Sequence, residues 1–141
     1  MPIRTRRWND KRKKGDGFRL LICRYRPRAL RKEDETWHAW WPQFGPSKAL
    51  HAAFYGKNGP PITWEEYRQR YLAEMQAPAQ QELIDELAAM VREGKTITLL
   101  CSSACKDESH CHRSLLRQLI EDRLAAAPPA AEQPAPGTTT G

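Results

Sequence analysis

The sequence predicts a single small α/β domain, a short and mostly parallel sheet flanked by helices. Three observations predict it. Two compact apolar runs, residues 18–25 and 96–100, are short and lie next to glycine or proline, which favours buried strands over helix segments. Amphipathic segments with a helical repeat lie between and after them, and each has a recognisable start. The order of the pieces is strand, strand, helices, strand, helix, as expected for a sheet covered by helices.

Residues 3–8 read as the first strand, followed by a basic loop bracketed by Asn9-Asp10 and Gly15-Asp16-Gly17. Residues 18–25 read as the second, ended by Arg26-Pro27 because proline cannot extend a ladder. Residues 28–46 read as irregular and carry Trp37, Trp40 and Trp41 ahead of Pro42. Pro46-Ser47 opens a short helix over 48–54, and 56–61 is a breaker-rich loop. Thr63-Trp64-Glu65-Glu66 is a capping box, with Thr63 as N-cap and Glu66 three residues on. Its helix puts Trp64, Tyr67, Tyr71, Leu72 and Met75 largely on one face. Pro78 begins the next helix, whose stripe of Leu83, Leu87, Met90 and Val91 stops at Gly94. After the strand 96–100 and a polar loop comes a last helix over 111–126. Its core face is Leu115, Leu116, Leu119, Ile120 and Leu124. Residues 1–126 are therefore expected to fold. Residues 127–141, rich in Ala, Pro, Gly and Thr, are expected to be a disordered tail.

A chain of 141 residues can bury a core without disulfides. No apolar run reaches the roughly eighteen residues that span a bilayer, and no apolar stretch follows the N-terminal charges, so a cytoplasmic protein is expected. There the four cysteines would stay reduced, which favours catalytic, sensing or metal roles over bridging. The net charge of +6 is uneven, because residues 1–32 hold thirteen Lys or Arg against two Asp. Such a lobe attracts polyanions, so a nucleic-acid-binding accessory module using residues 4–32 is one reading. A basic rim around a pocket for a small anion is another, and no helix-turn-helix or zinc-finger spacing accompanies the charge.

Chemistry concentrates in residues 96–117, where Cys101 ends a strand and Cys111 begins a helix. In open α/β sheets ligands sit beyond the carboxyl ends of the strands. Cys23-Arg24 and Cys101-Ser102 both occupy such ends, and parallel neighbours would bring them to the start of the last helix. There the helix amides, His112 and Arg113 would depress the Cys111 thiol. The favoured reading is a thiol-centred site, enzyme or redox sensor, acting on a small anionic ligand such as a nucleotide or phosphoester. Cys111 is the nucleophile, Cys101 its partner and His112 the acid–base group. Arg113, Arg24 and Arg28 clamp the anion, with Ser102 beside them. The plainer reading makes Cys23 and Cys101 small buried hydrophobes. No cofactor is expected. A zinc or iron ion would fall to Cys101, Cys105, His110 and Cys111, although C-x3-C-x4-H-C-H lacks the C-x2-C knuckle. His110-Cys111 through Arg117 also spells H-C-x5-R, but without glycine and with Leu115 and Leu116 in a helix core it reads as a chance match.

Four segments resemble the YeaO-like proteins, domain-of-unknown-function family 488. They are Arg24-Tyr25-Arg26-Pro27-Arg28, Trp40 through Pro46-Ser47 with Leu50, Trp64-Glu65-Glu66-Tyr67 with Tyr71, and Leu99-Leu100-Cys101 followed by Cys111-His112-Arg113. They follow the family's order across residues 3–125. The resemblance implies an α/β domain and the branch with a strand-end cysteine and a Cys-His-Arg helix start. It supplies no reaction, because the family's activity is unassigned. Two positions depart from the family's habit. Ala29 stands where glycine is common, and His38 stands where relatives often carry an aspartate, so His38 becomes a candidate ligand-binding and acid–base group.

Overall fold

The computed structural model describes residues 2–57, 59–102, 105 and 107–126. The expected tail, 127–141, lies outside them. Four strands, β1 (Ile3–Arg7), β2 (Phe18–Leu21), β3 (Ala39–Trp40) and β4 (Ile97–Cys101), form one sheet in the order β1-β4-β2-β3. Every pairing is parallel, with Ile97 opposite Ile3 on one side and Phe18 on the other. The helices are α1 (Lys48–Phe54), α2 (Trp64–Glu74), α3 (Pro78–Arg92) and α4 (His112–Ala125). The chain is thus the α/β domain its apolar runs foretold.

All five residues of β4 are buried, because it lies between β1 and β2 and is covered on both faces. One face carries the main core. Ile3, Leu20, Ile22, Ile97 and Leu99 pack there against Leu50 of α1, Tyr67 and Tyr71 of α2, Ile84 and Leu87 of α3, and Leu116 and Ile120 of α4. The other face has Leu21 and Leu100 under Trp37, with Trp8 and Leu30 at its margin. Leu30 and Trp37 of the segment expected to be irregular therefore roof the sheet on the side opposite the helices, while its Phe44 packs into the main core. The segment also contributes β3 and two single 3₁₀ turns, Lys32–Asp34 and Pro42–Phe44.

The helix starts are built as their sequences require. The Ser47 hydroxyl accepts from the Leu50 N–H at 3.1 Å and donates to Glu74 of α2 at 2.5 Å. The Thr63 hydroxyl accepts from the Glu66 N–H at 3.1 Å. The second strand is shorter than the run 18–25, although the Ile22 N–H still reaches the Leu100 carbonyl at 3.0 Å. Beyond it the backbone of Arg24 runs against Gly45, where an added Cβ would lie 2.4 Å from the Arg24 nitrogen.

The basic lobe is largely tied inward. Arg4, Arg6 and Arg19 share the buried carboxylate of Asp16, Arg7 pairs with Asp10, Arg26 with Glu35 and Arg31 with Asp34. Six of its thirteen cations thus serve the fold.

Candidate functional site

Because β2 and β4 are parallel neighbours, Cys23 and Cys101 arrive at the same edge of the sheet, where α4 begins. Cys111 is the N-cap of that helix, one residue before its first turn. Its thiol donates to the Cys101 sulfur at 3.1 Å, and the Cys101 thiol donates to Cys105 at 3.2 Å. The three sulfurs lie within 4.8 Å of one another. Cys101 and Cys111 are buried, and Cys105, in the loop before α4, is partly open.

His112 opens α4 and is buried. Its Nε2 lies 2.9 Å from the Ile22 carbonyl oxygen, which only accepts, so Nε2 carries the proton and Nδ1 keeps its lone pair. That lone pair faces the Cys101 sulfur at 3.8 Å. Arg113, 5% exposed, donates from Nη2 to the Cys105 carbonyl at 3.2 Å, while its Nε has no partner among the described residues.

Within the trio the thiols shift in opposite directions. Hydrogen bonds from Cys101 and then Cys111 hold the Cys105 thiol far below its ordinary value, outweighing its partial burial, and Arg113 acts in the same sense. Cys101 and Cys111 move the opposite way, held as proton donors chiefly by their bonds within the trio and further by burial. Burial lowers His112 and keeps it neutral. The expectation of a depressed Cys111 thus meets the reverse, because the residue is enclosed, precedes the first turn and serves as a donor.

The sulfurs face a cavity of about 130 Å³ walled by Tyr67, Phe54, Tyr55 and His51, with Arg24 and Ser102 on its rim. A wider groove of about 800 Å³ shares Cys23, Tyr25, His51 and Ser102 with it and contains Arg28. His38 is elsewhere. Its Nδ1 accepts the Arg19 N–H at 2.9 Å and its ring stacks on Phe18, among the residues that begin the strands. His110 reaches the cavity, but its exposed ring bonds Asp107 at 2.9 Å and packs edge-on to Trp64. Arg113 is beneath the loop and not in the cavity wall. The H-C-x5-R match ends on Arg117, which points away to Glu108 at 3.3 Å.

Three cysteines this close together could hold a metal ion. A tetrahedral zinc with bonds of about 2.3 Å sets its sulfurs about 3.8 Å apart, so each of the two hydrogen-bonded pairs would have to open by roughly 0.6–0.7 Å. Two parts of the site are only partly legible in the sequence, where Cys105 stands as a candidate metal ligand and not as the acceptor of the Cys101 thiol. Cys105 sits in no regular element, and the aromatic wall of His51, Tyr55 and Tyr67 reads as helix core. The aromatic spacing over residues 51–55 is its only available signal.

Among the described residues no helix is long and apolar enough to cross a membrane. No solved structure matches the chain. It is 31% identical over 110 residues to a protein called uncharacterized protein YeaO from Escherichia coli (strain K12), covering 78% of this chain and 90% of that one. Residues 3–124 match the model of a family described as the active DUF488-N3 subclade. With its parallel sheet, strand-end Cys101 and Cys111-His112-Arg113 helix start in place, the chain belongs to the YeaO-like DUF488 family.

Proposed function

We propose that the crevice is a thiol-centred site acting on a small anionic ligand, with Cys105 as its reacting thiolate. The donor chain from Cys111 through Cys101 to Cys105 carries this reading, because it leaves charge on the sulfur nearest solvent. The hydrogen bond that Cys101 donates, itself strengthened by the Cys111 thiol behind it, lowers the basicity of the thiolate and favours its ionised form. Cys101 is its buried partner, and His112 Nδ1 is placed to take the Cys101 proton. Arg113 fixes the loop through the Cys105 carbonyl, and Arg24 offers positive charge at the rim. A reducing, cytoplasmic setting belongs to the same proposal, since it keeps the thiols available.

The test is the alkylation rate of each cysteine against pH, mapped by mass spectrometry with and without a chelator. Cys105 should react quickly at pH values well below the free-thiol value of about 8.5, with Cys111 slow throughout. A Cys105→Ser protein should keep its fold and lose the fast phase. Should Cys105 titrate as a free thiol, the proposal fails. A second reading, a zinc- or iron-thiolate centre, is favoured by the mutual closeness of the three sulfurs. It predicts that Cys105 becomes reactive only after chelation, and that cobalt(II) added anaerobically gives thiolate-to-metal absorption lost in Cys101→Ser.

A further inference from the structure

The large exposed aromatics among the described residues gather at one place. Tyr25, Trp40 and Tyr55 are 49%, 37% and 48% exposed, and each lines the thiol cavity or the groove beside it. Tyr25 lines both. Their positions are fixed from below. The Trp40 indole donates to the Cys23 carbonyl at 2.8 Å, Tyr25 meets the His51 ring edge-on at 5.1 Å, and His51 packs on Tyr55 at 4.6 Å.

Apart from the Cys105 thiolate of the proposed site, the charged side chains around these rings are cations. Among the described residues no Asp or Glu lines either cavity. Arg24, Arg28 and Lys57 line them and form no ion pair among the described residues, unlike Arg26, which is held by Glu35 at 2.7 Å. Uncommitted cations beside exposed ring faces suit a ligand that is anionic at one end and flat at the other. Inorganic phosphate would leave the rings bare, and a neutral aromatic would leave the cations uncompensated. A groove of about 800 Å³ lies within the usual range for an organic ligand of nucleotide size.

We infer that the groove and the thiol cavity it adjoins together bind a free nucleoside 5′-phosphate, its base on Tyr25 and its phosphate among Arg24 of the cavity and Arg28 and Lys57 of the groove. This places the sugar and its substituents toward Ser102 and the thiols. The inference rests on the thiol reading only for where chemistry follows, and binding itself does not need Cys105.

Isothermal titration with the full chain, under reductant and chelator, would use adenosine, guanosine, cytidine and uridine 5′-monophosphates, the parent nucleosides, and inorganic phosphate. At least one nucleotide should bind about tenfold or more tightly than both its nucleoside and phosphate. Tyr25→Ala should weaken that binding about tenfold, through lost stacking. The double variant Arg28→Ala with Lys57→Ala should weaken it as much and leave the nucleoside titration unchanged. All three side chains are exposed, so these proteins should melt as wild type does. Cys105→Ser should bind normally. Nucleotides no tighter than phosphate, or an unaffected Tyr25→Ala, would overturn the inference. So would a single-stranded decanucleotide binding orders of magnitude more tightly than any mononucleotide, which would make the occupant a polynucleotide. A reactive Cys105 without nucleotide binding defeats this inference alone. Nucleotide binding beside an inert Cys105 defeats the thiol reading alone.

Discussion

Ala29 has φ of 57°, the left-handed region where a Cβ crowds the following carbonyl. The backbone at this turn is therefore one that glycine would adopt without that crowding. Replacing exposed Ala29 by glycine removes the strain, and Ala29→Gly should raise unfolding stability by about 1 kcal/mol in denaturant titrations. Asp16 is the opposite case, a residue whose loss should be felt at once. Burial alone would raise its carboxyl, but the Lys13 N–H and then Arg6 and Arg4 hold it down to about 2. A pKa depressed in the folded state contributes stability that is complete above the unfolded value of 3.8. That stability, about 2 kcal/mol, drains away as pH falls from about 4 to about 2. Asp16→Asn should abolish this acid dependence. It should also cost about 3 kcal/mol near neutral pH, because it strands the buried Arg19 guanidinium without its counter-charge.

At the scale of elements, the caps give the cleanest test. Thr63→Ala removes the acceptor of the Glu66 N–H and should lower stability by about 1 kcal/mol. Gly17→Ala should cost more in the same measurement, since φ is +64° and the new Cβ would lie 2.2 Å from the Thr96 carbonyl oxygen. These elements are legible in the sequence because their signals are local. A capping box, a proline start and a short apolar run between breakers each act within a few residues. The buried stripe of α3 lies one position from the expected one, because Ile84 is fully buried beside Leu87 while Leu83 lies partly outside. The two-residue β3 is not legible at all, being too short to show a period. It exists because the Trp41 N–H finds the Leu21 carbonyl at 2.9 Å. The thiol crevice is legible in its fixed parts, Cys101 at a strand end and Cys111 at a helix start. Cys105 is legible only as a candidate metal ligand, because a loop residue gains its place beside Cys101 only when the loop folds back, and nothing in its neighbours announces that.

For the whole molecule, the question is what its positive charge does. The sequence shows thirteen cations in residues 1–32, enough to suggest a polyanion surface. The fold commits six of them to Asp10, Asp16, Asp34 and Glu35. The seven others divide between the loop Lys11 to Lys14 with Lys32, and Arg24 and Arg28 by the groove. Salt dependence separates these surfaces, because each phosphate neutralised on a single strand contributes about −0.7 to the slope of log affinity against log salt. A strand held only in the groove and the cavity beside it meets Arg24, Arg28 and Lys57 and should give a slope of about −2. One gathered by all seven lobe cations should approach about −5, and thirteen active cations would demand about −9. Titrating a fluorescent oligothymidine across a salt series reads this number directly. With half the lobe committed to internal ion pairs, the slope should lie no steeper than about −5. A value near about −9 would mean that the ion pairs around Asp16 open on binding, and Asp16→Asn should then bind more tightly at every salt concentration.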